Sequence, residues 1–312
     1  MRSELWLLID AGWVCHQAFY AIQNLAHEDK PTGVIFGVLE HIRLLSAEWK
    51  TNRIAFFFDS RRSFRRKAFP GYKEGRKKRT PEQLADSAIM HEQIQALRRE
   101  ILPTIGFPCF MQVGLEADDL IAMAASQLDS PWTSEPTALM ITNDGDLYQC
   151  ITDSVWWLNP TRHLQLNPTE LWVKTGAHPD EWCRIKSIAG CRSDSVPGVR
   201  GVGEKTAVAY LHGALSCTSK KYMSITSDEG HAIIKRNMEL VRLPHYKTRQ
   251  QAMTPPVYSR EGFDDVCKQY GLHSYTEPPL SYQWDRLLSG RVGARPIPRK
   301  RGEPRGERHA KR

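Results

Sequence analysis

No apolar run in this chain approaches the ~18 consecutive residues that a membrane-spanning helix requires. The opening hydrophobic stretch, Leu5-Trp6-Leu7-Leu8-Ile9, follows Glu4 and is too short for the core of a signal peptide. No membrane partner is therefore expected. A C-x-x-C pair is also missing. The seven cysteines, at positions 15, 109, 150, 183, 191, 217 and 267, are scattered and odd in number. That argues against a disulfide framework and a zinc site, and for a reducing compartment. A cytoplasmic location is expected, bacterial or that of the host if the chain is phage-encoded. Neither G-x-x-x-x-G-K-[ST] nor G-x-G-x-x-G occurs, so the glycines do not form a nucleotide-binding loop of either kind.

What is present is a globular composition. The 312 residues are 41% hydrophobic and 25% charged, enough for one large domain or a domain with a smaller module. The net charge of +8 is unevenly spread: residues 61–79 hold ten Arg/Lys and one Glu, and residues 291–312 hold nine Arg/Lys and two Glu. The remainder of the chain is therefore acidic. Acids beside basic patches suit a metal-dependent enzyme that works on a polyanion.

Short apolar runs at 5–9, 53–58 and 137–142 read as buried strands, with another near 107–111 and a strand pair at 155–158 and 163–166. Between them lie helical patterns at 33–49, at 81–101 (Thr80 as N-cap, Pro81 as first residue) and after Glu116. Alternation of this kind predicts an α/β fold with a mostly parallel sheet, whose ligands gather beyond the carboxyl ends of the strands. Acids stand at those ends: Asp10, Asp59, and the pair Asp144 and Asp146. Glu116, Asp118 and Asp119 crowd into one helix start. One such Asp ordinarily caps a helix or turn. Acids at four strand ends that the topology brings to one edge point instead to a divalent-cation site.

From about residue 167 the pattern is helical, with helices expected at 168–175, 179–188, through 212, and at 229–243. Pro197-Gly198-Val199-Arg200-Gly201-Val202-Gly203-Glu204-Lys205-Thr206 reads as a helix–hairpin–helix. Its glycines would let the backbone approach a DNA phosphate, helped by Lys205 and Thr206. The plain alternative is an ordinary turn between helices.

These residues resemble the 5′-nuclease family: the 5′–3′ exonuclease domain of bacterial DNA polymerase I, phage 5′ exonucleases and flap endonucleases. The matches are Leu8-Ile9-Asp10-Ala11; Phe58-Asp59 with Phe69-Pro70-Gly71-Tyr72-Lys73-Glu74-Gly75-Arg76; Glu116-Ala117-Asp118-Asp119; Thr142-Asn143-Asp144-Gly145-Asp146; and Ala189-Gly190-x-x-Ser193-Asp194, which runs into the Gly-rich turn. They cover residues from about 5 to 245. The resemblance implies a PIN-like nuclease domain over 1–166, with a basic helical arch at about 61–90. It implies a helical DNA-binding region over 167–290, containing a helix–three-turn–helix module at 190–212. The basic end at 291–312 is expected to be disordered.

Two Mg²⁺ or Mn²⁺ ions are implied. Asp10, Asp59, Glu116 and Asp118 would surround the first, while Asp119, Asp144, Asp146 and Asp194 would complete the cluster and the second. Lys73 and Arg76 would contact the scissile phosphate and Tyr72 would stack on a terminal base. Arg61, Arg62, Arg65, Arg66, Lys67, Lys77 and Lys78, interleaved with Phe64 and Phe69, would grip a single-stranded flap. Gly198, Val199, Gly201, Gly203, Lys205 and Thr206 would hold duplex, with a K⁺ ion at that turn. The expected substrates are DNA 5′ ends, flaps, nicks and RNA primers on DNA, cut to leave 5′-phosphates in replication or repair by a monomer.

One departure stands out. The family usually has Gly-Asp-x-x-Asp where this chain has Gly190-Cys191-x-x-Asp194, and Ser195 replaces the usual Asn. A thiol is a poor ligand for a hard cation, so the second metal site is expected to be weakened. A PIN-type ribonuclease and a non-catalytic junction-binding protein are the alternatives. The Gly-rich turn argues against the first, and only Cys191 favours the second.

Overall fold

The computed structural model describes residues 5–22, 25–77, 80–133 and 135–292, with the side chains of Arg76 and Lys77 outside that description. Lys78 and the basic end beyond Val292 also lie outside it.

The first strand organises the molecule. β1 (Trp6–Asp10) enters α1 (Ala11–Ala21), and a two-residue hairpin, β2 (Ala26–His27) and β3 (Lys30–Pro31), leads to α2 (Gly33–Trp49) and β4 (Arg53–Phe57). The basic stretch holds α3 (Phe64–Ala68) and a 3₁₀ turn at Glu74–Lys77. It is followed by α4 (Pro81–Ala96), a π turn at Leu97–Ile101 and α5 (Leu102–Ile105). Thr80 caps α4 and Pro81 opens it, the position where proline's missing N–H costs nothing. The first turns of α4 are exposed, so this helix stands away from the core at its start. Then come β5 (Cys109–Phe110), α6 (Ala117–Leu128), β6 (Ala138–Ile141), β7 (Val155–Asn159) and β8 (Leu164–Leu166).

The sheet order is β5-β4-β1-β6-β7-β8. All neighbouring pairs are parallel except the edge pair β7–β8. β1 lies between β4 and β6, so the strand order reverses there and a crevice opens beyond its carboxyl end. Register fixes the crevice: Asp10 pairs with Phe57, and Ile9 with Ile141.

Both faces of the sheet are covered, which is why these strands are apolar throughout. Leu7, Ile9, Ile54 and Phe56 face one core; Trp6, Leu8, Ala55 and Phe57 face the other. The second core extends under α7 (Pro168–Thr175), α8 (Pro179–Ala189), α9 (Glu204–Leu211), α10 (Lys220–Thr226) and α11 (Asp228–Val241). A small hairpin, β9 (Gly190–Cys191) with β10 (Val196–Pro197), separates α8 from the Gly-rich turn.

The last helices were not foreseen individually. α12 (Arg260–Gln269) packs on α5 and α14 (Leu280–Leu288) on α2, joined by α13 (His273–Thr276). Phe263, Tyr275 and Trp284 are fully buried in the first core. Residues 260–288 therefore cover the α2 face rather than extending the helical region of 168–241. No helix among the described residues is long and apolar enough to cross a membrane.

Candidate active site

Each acid at the sheet edge is held by the element that follows its strand. Asp10 ends β1 and caps α1, accepting the Trp13 N–H at 3.0 Å through Oδ1. Its Oδ2 accepts Thr142 Oγ1–H at 2.9 Å, which ties the ends of β1 and β6. Asp59, two residues past β4, accepts the Ala117 N–H at 2.8 Å and so fixes the start of α6. Asp144 accepts the Asp146 N–H at 2.8 Å. Gly12 keeps space beside the first pair, since a Cβ there would lie 3.4 Å from Asp10 Oδ1 and 3.7 Å from Asp59 Oδ2.

Burial raises the Asp10 carboxyl to about 7, with the Asp59 charge adding to it. Burial raises Asp144 to about 6, with Asp146 adding. Asp118 is pushed well above the carboxylate range by burial and by the charges of Asp144, Asp10 and Asp59; Lys73 offsets part of this. These groups thus act on one another, as carboxylates sharing one crevice must. Asp10, Asp118 and Asp144 remain partly open to the cleft.

Glu116 sits deeper, with donors around it. Tyr72 Oη and Lys73 Nζ each donate to its Oε2 at 2.8 Å. Tyr72 Oη also lies 3.1 Å from Asp194 Oδ2, and Lys73 Nζ 3.6 Å from Asp194 Oδ1. Burial works against the Lys73 ammonium, but Glu116 and Asp194 more than offset it and its pKa rises.

Asp146, Cys191 and Asp194 form a second group, all buried, with ligand atoms within 4.8 Å of one another. The Cys191 thiol is 3.4 Å from Asp146 Oδ2 and 2.9 Å from Ser193 Oγ. Burial, with Asp146 and Asp194 nearby, raises that thiol to about 12, so it is protonated at neutral pH. The sequence argued against zinc from the missing C-x-x-C pair. The fold nevertheless brings one thiol to two carboxylates, a softer set than the all-oxygen cleft beside it.

Five expected roles are corrected by the geometry. Asp119 is fully buried, and both its oxygens are taken by the Arg65 guanidinium at 2.6 and 2.7 Å. It also accepts the Glu116 N–H at 3.2 Å, so it caps α6 and carries a buried ion pair rather than facing a metal. Arg65 is correspondingly 4% exposed and does not face DNA. It further donates to the carbonyls of Leu240 and Arg242 at 2.7 and 3.0 Å, joining α3, α6 and the end of α11. Tyr72 is 2% exposed, its ring packed among Cys191, Val196 and Leu240, so it offers no face to a base. Val199 is buried and its N–H donates to the Ile188 carbonyl at 2.8 Å.

Gly198 also looks inward: a Cβ there would come 2.2 Å from the Ala189 backbone, so its role is close approach to α8. Gly201, at φ +74°, and Gly203 have open space where a Cβ would stand, and Lys205 is exposed. Thr206 Oγ1 accepts from Lys221 Nζ at 3.4 Å. Arg62, Arg66 and Lys67 are exposed, and Arg61 reaches His91 at 2.9 Å. Arg76, Lys77 and Lys78 lie outside the described side chains.

Two participants were missed, and Ser195 was noted only as replacing the usual Asn. Thr142, the residue after β6, holds Asp10. Lys186 Nζ lies 3.0 Å from Asp146 Oδ1 and 3.1 Å from Glu204 Oε1. A lone Lys between Ile185 and Ile188 on an apolar helix face was the available signal, because such a charge needs a buried partner. Ser195 adopts φ +57°, a left-handed conformation that Asn accepts more readily, and its Oγ accepts the Gly75 N–H at 3.1 Å.

Residues 5–176 match a family model described as 5′-3′ exonuclease, N-terminal resolvase-like domain. The chain is 29% identical over 261 residues to the 5′-3′ exonuclease of Buchnera aphidicola subsp. Schizaphis graminum, spanning 82% of each. It is 31% identical over 241 residues to the thermostable DNA polymerase I of Thermus thermophilus, spanning 76% of this chain but only 28% of that one. In structure it is similar to the zinc-bound 5′-exonuclease of phage T5, at a TM-score of 0.65 and 20% identity, covering 86% of this chain and 98% of that one. It also resembles flap endonuclease-1 of Methanococcus jannaschii, with a TM-score of 0.56 and 15% identity over 93% of each chain. At these identities the structural likenesses establish the fold: an α/β fold with a mostly parallel sheet flanked by helices.

Proposed function

Since the chain belongs to the 5′–3′ exonuclease family, we propose that it is a divalent-metal-dependent 5′–3′ exonuclease and 5′-flap endonuclease. It hydrolyses DNA phosphodiesters near 5′ ends, nicks and flaps, including RNA primers on DNA, and leaves 5′-phosphates in replication or repair. The observation that carries this reading is the convergence of Asp10, Asp59, Asp118 and Asp144 on one crevice, with two of their carboxyls raised to about 7 and about 6. Oxygen donors that repel one another fit a hard dication such as Mg²⁺ or Mn²⁺. Asp10, Asp59, Glu116 and Asp118 would hold the first ion. When bound, it supplies Lewis acidity and lowers the pKa of the attacking water.

The chain's own groups do the rest. Lys73, held by Glu116 at 2.8 Å, places an ammonium at the cleft to offset charge that builds on the phosphate. Tyr72 donates to Glu116 and Asp194 and keeps both carboxylates turned inward. Asp144, Asp146 and Asp194 would hold a second ion, weakened because Cys191 supplies a protonated thiol and Lys186 already pairs with Asp146. Arg61, Arg62, Arg66, Lys67, Arg76, Lys77 and Lys78 would grip the single-stranded part under an arch formed by about 61–90. Gly201, Gly203, Lys205 and Thr206 would hold duplex phosphate in a helix–three-turn–helix, with K⁺ at the turn. The protein would work as a monomer.

The test is cleavage of end-labelled 5′-flap, nicked and blunt duplexes with and without Mg²⁺. Metal-dependent release of 5′-phosphorylated products is expected. Asp118→Asn should lower kcat by two or more orders of magnitude, the scale of losing an electrostatic contribution at the reacting centre. Undiminished cleavage by that variant would sink the assignment.

A further inference from the structure

Behind the acidic cleft, on the far side of Arg65, lies a groove of about 860 Å³. Three rings stack along it. Phe64 and His245 lie 5.6 Å apart and 15° from parallel; His245 and Tyr246 lie 4.5 Å apart and 29° from parallel. The Lys247 ammonium sits over both ends of this ladder, 4.3 Å from the Phe64 ring centre and 5.4 Å from that of Tyr246. Lys67 and Arg242 add exposed cations, and Glu239 is the only acid among the lining residues.

The ladder is built in. Phe64 lies against Gly114, where a Cβ would come 2.4 Å from its ring, so glycine is what lets the ring lie flat two residues before Glu116. The His245 N–H donates to Asp119 at 2.8 Å, and Gln112 holds the Lys247 carbonyl and the Arg249 N–H at 2.9 and 3.1 Å. Burial, with Arg65 nearby, lowers the His245 pKa, so its ring stacks as the neutral form at neutral pH. Tyr246, the outermost rung, is 83% exposed, so its ring is open to solvent.

We propose that this groove is a second single-strand binding site, in which a DNA base stacks on Tyr246 as the next rung and the flanking phosphates lie on Lys67, Arg242 and Lys247. The charge excess selects a polyanion. The open ring face selects one with planar bases that are not already paired, because a base inside a duplex has no face to offer. The groove and the cleft share a wall. Arg65 pairs with Asp119 and approaches Glu116 to 4.0 Å, and donates on the other side to the carbonyls of Leu240 and Arg242. A strand held there is held by the same elements that shape the catalytic edge. The inference rests on the nuclease reading above and adds where unpaired DNA is gripped.

The experiment measures binding of a fluorescent oligothymidylate and of a blunt duplex of equal length, by anisotropy in EDTA, alongside Mg²⁺-dependent flap cleavage by the unaltered protein. Tyr246→Ala should weaken oligothymidylate binding about tenfold and leave the duplex unaffected, while Tyr246→Phe keeps both. Lys247→Ala should weaken the single strand as well. Photocrosslinking the unaltered protein to an iododeoxyuridine oligonucleotide should label Tyr246, a readout independent of how the variants fold. Unchanged affinity in Tyr246→Ala, or a crosslink confined to residues outside 242–247, would overturn the proposal and leave the groove to a protein partner or a second copy. Flap cleavage that persists in that case preserves the nuclease reading; its absence from the unaltered protein would remove both.

Discussion

Cys191 decides how the second half of the cleft behaves. Its position is fixed by the β9–β10 hairpin, and its thiol touches Asp146 while staying protonated at neutral pH. A neutral group offers a hard dication no charge. Cys191→Asp should strengthen Mn²⁺ binding at that side on the order of tenfold, the gain from one added charge after its repulsion with Asp146 and Asp194. Titration calorimetry would show a second, tighter binding step in the variant. An unchanged isotherm would mean that the Lys186–Asp146 pair, and not the thiol, limits this side. At this scale the convergence of the acids was legible because they stand past several strand ends at one sheet edge, although any one of them alone reads as a cap. The roles of Asp119 and Tyr72 were not. Both are set by partners far along the chain, Arg65 for one and Glu116 with Asp194 for the other, and local sequence says nothing of such pairings.

Among elements, the basic stretch holds the main surprise. Read as sequence, 61–79 is a uniform run of cations. Folded, it divides: the exposed Arg62, Arg66 and Lys67 flank a buried Arg65 that fastens α3 to α6 and α11. Removing one partner of a buried pair leaves an uncompensated charge. Arg65→Gln should therefore cost about 3–5 kcal/mol of stability, read from urea unfolding, whereas Arg66→Gln should stay within about 0.5 kcal/mol. Equal small losses would show that the Arg65–Asp119 pair contributes no more than a surface contact. The strands and helices that periodicity did mark fell within a residue or two at most ends, while α1 and α10 were not marked. α12 and α14 escaped notice because their apolar faces are narrow, with Phe263, Val266, Cys267, Trp284 and Leu287 buried among many charges.

For the whole molecule, the cleft ties stability to pH and to metal. The Asp10 and Asp144 carboxyls stand at about 7 and about 6 in the folded protein, above their ordinary value of 3.8. A raised carboxyl pKa means that the folded state binds protons more tightly, so stability falls as pH rises between about 4 and 7. The charged groups facing them are Asp59, Asp118, Asp146, Lys73 and Lys186, and the two ammoniums offset only part of the repulsion. In EDTA the melting temperature should drop between about pH 5.5 and pH 8, and saturating Mn²⁺ should raise it more at the higher pH. Asp10→Asn should flatten the EDTA profile in differential scanning fluorimetry. A profile that is flat in the unaltered protein would contradict this.

β1 is the first strand of the described chain, yet it lies in the middle of the sheet, paired on one side with β4 and on the other with β6. Parallel partners so distant in sequence cannot pair until the intervening chain exists. The acids that meet at its end run from Asp10 to Asp194, so the last of them is made long after the first. During synthesis, then, the basic stretch emerges long before the cutting edge is complete. On the proposed function, a nascent chain would carry its cationic grip before its acidic cleft is complete.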